Sequence, residues 1–194
     1  MMMATTTQGH DMVSILGISG SLRAGSFNTA LLRAAAALPI DGVTLEVATL
    51  HGIPLYDGGA EAADGIPAAV EALKAQVRAA DGVLLATPEY NNGIPGVFKN
   101  AIDWLSRPSE GIDGLFGDRP FAVIGASPGC FGTILAQSAW LPVLRTLRTR
   151  TWFGGRLMVS RAGGVFDGAG TLTDDKVRAQ LRGFVADFAR FTQG

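Results

Sequence analysis

Short runs of apolar residues, each followed by a segment with helical spacing, constrain this chain more than any other feature. Val13 to Ile18, Gly82 to Ala86 and Pro120 to Ala126 carry no charged residue. A strand apolar on both sides must be covered on both sides, which is the situation inside a parallel sheet. Val43 to Leu50 alternates weakly and reads as a second strand, and Leu157 to Val159 is the best candidate for a short fifth. Helical patterns separate these runs. Asn28 to Leu38 aligns Leu31, Leu32 and Ala35, and Pro39 closes it. Pro67 opens a helix to Ala80 with Val70, Leu73 and Val77 on one face. Pro95 or Gly96 opens another, carrying Val97, Ile102 and Leu105. Phe131 to Arg148 reads as a helix interrupted near Pro142. Thr173 to Thr192 closes the chain, with Thr173 as cap and Val177, Leu181, Phe184, Val185 and Phe188 turned inward. His51 to Pro67 reads as a long loop. The alternation predicts an α/β, doubly wound parallel sheet with helices on both faces. Ligands of such sheets sit beyond the carboxyl ends of the strands. The loops that leave strands one, three and four are the compositionally odd parts of the sequence.

Composition narrows the function classes. Of 194 residues, 47% are hydrophobic and 17% charged, which excludes a disordered chain. Sixteen basic and 17 acidic residues give a net charge of -1, so no strong field points to nucleic acid or an anionic membrane. One cysteine excludes an internal disulfide framework, and Cys130, His10 and His51 are too few for a metal site. No apolar run approaches the ~18 residues of a membrane span. Met1 to Asp11 has neither a basic start nor a long apolar stretch, so it reads as a disordered tail and not a signal peptide. The expectation is a soluble, cytoplasmic protein with one domain over 12–194.

The first loop, Gly17 to Asn28, reads GISGSLRAGSFN and contains no acid. Ser19 and Ser21 offer hydroxyl donors, Arg23 a planar cationic fork, and Ser26 a helix cap or a further donor. With a helix N-terminus behind it, this is an anion cradle; its bland counterpart is an ordinary strand-to-helix turn capped by Ser26. GxxxxGK[ST] and GxGxxG are both absent, which removes the usual triphosphate and dinucleotide grips. Gly17-Ile18-Ser19-Gly20-Ser21 is one glycine short of a nucleophile elbow, and His51 lies too early for a triad partner. The second loop, Thr87 to Gly96, is stiffened by proline at both ends. Asn91 and Asn92 tolerate left-handed backbone, and Tyr90 offers a flat face. Such a loop suits the edge of a heterocycle. Glu89 has the chemistry of a general acid or base, but a solvated or subunit-interface carboxylate is the simpler reading. Cys130 reads as a small apolar filler, and Trp104 and Trp140 as core or subunit contacts.

GSLRAGSFN after strand one, TPEYNNGIPGVFKNAIDWLSRP after strand three and a glycine-bearing loop after strand four together resemble the NADPH-dependent FMN reductase family, in particular its bacterial quinone and chromate reductase branch. The likeness runs from about Val13 to the last helix, with smaller echoes at Ile53 to Asp57 and Val165 to Asp167. It implies a flavodoxin-like five-stranded sheet of order 2-1-3-4-5. It implies FMN, with the phosphate on Ser19, Ser21, Arg23, Ser26, Phe27 and Asn28. The ring and ribityl would lie along Pro88, Glu89, Tyr90 and Asn91, closed on the other side by Ser127 to Gly132, with Ser127 and Gly129 as contacts. The implied chemistry is ping-pong: NADPH or NADH delivers hydride to FMN, and a quinone, azo compound, chromate or free flavin takes the electrons, with no catalytic side chain. A homodimer or homotetramer is implied as well, with the helices bearing Trp104 and Trp140 as the apolar surfaces available to it. The sequence departs from the family at Pro128 and Cys130 to Thr133, where paired glycines are usual, and at Asn92-Gly93. Substrate preference is expected to depend on these positions. The alternative is a flavodoxin-type electron carrier without NAD(P)H activity; such carriers are often strongly acidic, and this chain is nearly neutral.

Overall fold

The structure is a computed structural model describing residues 12–194; the proposed tail, 1–11, lies outside the described residues. In chain order the elements are β1 (Val13–Ser19), α1 (Phe27–Ala37), β2 (Val43–Ala48), α2 (Gly58–Asp64), α3 (Ala68–Ala79), β3 (Gly82–Ala86), α4 (Gly96–Leu105), α5 (Ile112–Phe116), β4 (Pro120–Ala126), α6 (Ile134–Thr146), β5 (Arg150–Thr151), β6 (Leu157–Val159) and α7 (Asp175–Thr192). The strands form one parallel sheet in the order β2-β1-β3-β4-β5, with β6 also paired to β4. This is the flavodoxin-like order that the resemblance implies.

Side chains alternate across the sheet, so each central strand feeds two cores. Ile15, Leu84, Ala86, Ala122 and Ile124 face α1 and α7, where they meet Leu31, Leu32, Phe184 and Phe188. Leu16, Ile18, Val83, Leu85 and Phe121 face the other way, against Val70, Leu73, Phe98, Trp104, Phe116 and Trp140. Every residue of β3 is buried, as a central strand requires. β2 lies at the edge, and Thr44 and Glu46 are exposed there.

Several details differ from the sequence reading. The fifth position is shared: β5 pairs Arg150 and Thr151 with Pro120 and Phe121, and β6 pairs Leu157 to Val159 with Ile124 to Ala126. α6 starts three residues late and continues through Pro142 without a break. Asp174 caps α7, accepting from Val177 N at 2.9 Å, because Thr173 is drawn instead to the carbonyl of Val165. The long loop after β2 contains α2, which buries no residue and so gives no apolar periodicity to read. Asp57 caps it, and α4 straps it down. Asn100 donates to Pro54 O and accepts from Tyr56 N, both at 2.8 Å, Trp104 Nε1 donates to Pro54 O, and Arg107 pairs with Glu61. Glu61 also accepts the Tyr56 hydroxyl, which pushes that phenol above its usual range. Trp104 and Trp140 are both buried in this chain's own core, so neither lends support to an oligomer.

Candidate functional site

β1, β3 and β4 are neighbours, so the loops that leave their carboxyl ends converge. Direct bonds tie them together. Gly20 N donates to Ala86 O at 2.9 Å. The side-chain amide of Asn28 donates to Ala126 O and accepts from Ala126 N, both at 2.9 Å. Glu89 Oε2 accepts from Leu135 N at 2.8 Å and Ala136 N at 2.9 Å, at the start of α6. The predicted site residues are therefore brought together, but their side chains divide the work differently from the sequence reading.

In the first loop several side chains act as struts. Ser19 is fully buried and shares a 2.7 Å hydrogen bond with the Thr29 hydroxyl. Ser21 accepts from Arg23 N, and Ser26 accepts from Thr29 N as the cap of α1. Both serines keep their hydroxyl protons to donate elsewhere. One donor and one acceptor site of the Asn28 amide are engaged by Ala126. What remains open is backbone: the N–H groups of Ser21, Leu22, Ala24, Gly25, Phe27 and Asn28 have no acceptor among the described residues. These donors sit at the positive end of an 11-residue helix with no acid in its first turn. Arg23 is exposed, its guanidinium 5.4 Å from the centre of the Phe27 ring, and Phe27 stacks on Phe166 at 5.9 Å. An unpaired arginine beside a nest of unpaired amides matches a phosphate monoester in charge and geometry.

The loop after β3 is rigid. Pro88 is buried, and the hydroxyl of Thr87 donates to its carbonyl. Tyr90 and Gly93 exchange both backbone hydrogen bonds, at 3.1 and 3.0 Å, with Asn91 at φ 51° and Asn92 at φ 62°. This is a two-residue hairpin turn of the type that needs positive φ at both central positions, which accounts for the paired asparagines. The turn holds Tyr90 half in solvent. The loop after β4 is fixed by Ser127 N to Val159 O, Ala162 N to Ser127 O and Arg161 N to Gly129 O. Beyond Ser127 it is open: Pro128, Gly129, Cys130 and Phe131 are exposed. The exposed Cys130 is no apolar filler, contrary to the sequence reading. Glu89 is half-buried and bonded to a helix terminus.

Sequence reasoning missed three supports. His51 Nε2 lies 3.2 Å from Leu22 O, which can only accept, so Nε2 donates there, and Nδ1 lies 3.2 Å from Thr49 Oγ1. Thr29 holds Ser19. Phe98 lies flat beneath the first loop, where a Cβ on Gly20 would come within 2.1 Å of its ring. None of these contacts has a signature in local sequence. Among the described residues no group of three or more His, Cys, Asp and Glu converges as a metal site, and no helix is long and apolar enough to cross a membrane. An apolar cleft of about 220 Å³ lies between α6 and Trp152 to Met158, bordering the end of the loop after β4 at Ile134.

The sequence pattern of the NADPH-dependent FMN reductases matches residues 13–164, which include all three loops. The chain belongs to that family. It is 47% identical over 172 residues to an NAD(P)H-dependent FMN reductase of Pseudomonas aeruginosa, covering 89% of this chain and 91% of the relative. It is 33% identical to a 2-hydroxy-1,4-benzoquinone reductase of Burkholderia sp., covering 93% and 97%. Among solved structures it is similar to FerB, a flavoenzyme NAD(P)H:(acceptor) oxidoreductase of Paracoccus denitrificans, with 32% identity, a TM-score of 0.77 and coverage of 93% and 97%.

Proposed function

We propose that this chain is an FMN-dependent NAD(P)H oxidoreductase whose acceptors are quinones or similar flat, electron-poor molecules. The observation that carries the reading is the run of unpartnered backbone donors around Arg23 at the N-terminus of α1, next to two rigid loops that can flank a ring. The amides from Ser21 to Asn28, the hydroxyls of Ser21 and Ser26 and the guanidinium of Arg23 would hold the phosphate; Ser19 and the Asn28 side chain would support them from behind. Pro88 to Asn91 and Ser127 to Gly129 would flank the ring. Bound FMN supplies the hydride acceptor and donor that no protein side chain offers. The protein's part is to present one ring face, which asks for rigid walls and an open front. The hairpin and the exposed segment Pro128 to Phe131 provide these. Either NADPH or NADH serves as donor in this reading. A homodimer or homotetramer in the cytoplasm completes it; the exposed Phe131 and Phe153 are apolar surface that a second copy would cover.

The test is a visible spectrum of the purified protein, identification of any released cofactor, and NAD(P)H oxidation with a benzoquinone. A flavin spectrum with quinone-dependent turnover is expected. A protein that is colourless and takes up no FMN would overturn the proposal.

A further inference from the structure

α6 begins without a cap of its own. Its N-cap residue, Thr133, is in the left-handed region at φ 70°, where the hydroxyl is not aimed at the first turn. That hydroxyl instead accepts from Gln137 Nε2 at 3.1 Å. Gly132 before it is also left-handed, at φ 57°, and any Cβ there would strike the backbone of Met158 at 2.7 Å. The chain is pressed against β6, and the turn this forces leaves the helix start bare. The missing acceptor comes from another loop. Glu89 takes two of the orphan N–H groups on one oxygen, and its charge faces the positive helix end.

Glu89 is followed directly by Tyr90, the first residue of the hairpin. Pro88 before it is buried, and Leu135 and Ala136 lie just past the loop that starts at Ser127. One carboxylate thus spans the two walls placed on either side of the ring. We infer that Glu89 is a positioning residue that locks the hairpin 90–93 to the loop 127–133, and that it acts neither as acid nor as base. Oε2 accepts two backbone protons at once, which fixes the carboxylate against the helix start and asks only for an acceptor oxygen at that place. Without it the two walls would be ordered only as the cofactor binds, and that cost would come out of the affinity. The inference rests on the FMN reading for its consequence, but its mechanical part concerns the protein alone.

The test compares E89A and E89Q with the unaltered chain. Glutamine keeps an acceptor oxygen and loses the charge; alanine loses both. In the cofactor-free protein, E89A is expected to speed amide exchange at Leu135 and Ala136 and also at Tyr90 to Gly93, with the central strands still protected as proof of folding. E89Q is expected to stay close to the unaltered chain at all of these. For FMN, E89A should raise Kd about tenfold, the scale of a lost charged cap, while E89Q, which keeps the acceptor oxygen, stays within about threefold. Faster exchange confined to Leu135 and Ala136 would overturn the lock. So would an E89Q protein that binds FMN normally but does not turn over, since that marks proton transfer. If the unaltered chain takes up no FMN, the functional reading fails and the exchange data alone decide on the lock.

Discussion

Gly20→Ala is the sharpest probe of how the first loop is seated. Gly20 is outside the left-handed region, so alanine brings no backbone strain. Taken alone, the change would stabilise by roughly 0.4–1 kcal/mol by narrowing the unfolded ensemble. Against this stands the Phe98 ring. The added Cβ would lie 2.1 Å from Cδ1, 2.7 Å from Cε1 and 2.9 Å from Cγ. Carbon atoms pack at about 3.5–4.0 Å, so loop or ring must shift by more than ~1 Å. The ring has nowhere to go: it is fully buried and meets Trp140 edge-on at 4.9 Å. Overpacking of this kind costs about 1–3 kcal/mol, and a blocked site belongs at the upper end. The net expectation is a loss of ~2 kcal/mol, or roughly 4–8 °C in a chain of this size. Urea denaturation of the cofactor-free protein measures it. The decisive comparison is with Phe98→Leu. In that background the cost of Gly20→Ala should fall by at least ~1 kcal/mol, because the atoms in the way are gone. Costs that agree within ~0.5 kcal/mol in the two backgrounds would refute the proposed seating.

Other outcomes follow from the same geometry. Arg23→Ala should weaken FMN binding by about 1.5–3 kcal/mol, read from flavin fluorescence, with little change in the urea midpoint of the apo protein, because the guanidinium is exposed and pairs with no acid among the described residues; an unchanged Kd would mean that the phosphate lies elsewhere. Asn28→Ala should cost about 2–4 kcal/mol in apo stability by stranding the buried N–H and C=O of Ala126, and a loss below ~1 kcal/mol would contradict that role. Asn92→Val should destabilise by about 1–2 kcal/mol and Asn92→Gly should not, since only the valine resists positive φ. Asp167 accepts from Thr171 N at 2.7 Å and Ala169 N at 3.0 Å, and these bonds hold its carboxyl below the usual aspartate range. A depressed pKa stabilises the fold above the unfolded value, near pH 4, and that contribution is lost as pH falls through the lower, folded value. Melting curves from pH 5 downward should therefore show less acid sensitivity in Asp167→Asn; equal sensitivity would refute the assignment.

The parts of the fold that were legible from sequence are those written in local periodicity. β1, β3 and β4 are apolar on both faces because both faces are covered, and α1, α3 and α7 carry one buried stripe. α2 was not legible because it buries nothing; it is held from outside by Arg107 on Glu61, while Asn100 and Trp104 pin the segment just before it at Pro54. The same division applies to the site. Loop composition located the anion cradle, since hydroxyls, glycines and an arginine without acids are a local signal. The fate of each side chain was not legible. Asn28 and Glu89 also hold the loops together, but the partners for that work lie 98 and 46–47 residues away, and only the packed sheet brings those partners within reach. Cys130 misled in the opposite direction: a residue type usually buried stands in solvent, because the chain has turned outward before α6.

The divided fifth strand bears on how such a chain can vary in length. Between Thr151 and Leu157 five residues, 152–156, stand opposite only two on β4, Ala122 and Val123. The surplus is absorbed in an excursion where Phe153 and Gly154 are exposed. Ladders on either side are complete without it. Extra residues inserted there would enlarge an existing detour and leave the strand pairings, and the loops at the other side of β4's neighbours, where they are. The sheet edge is thus the natural place for descendants of this chain to gain new surface while their phosphate loop stays unchanged.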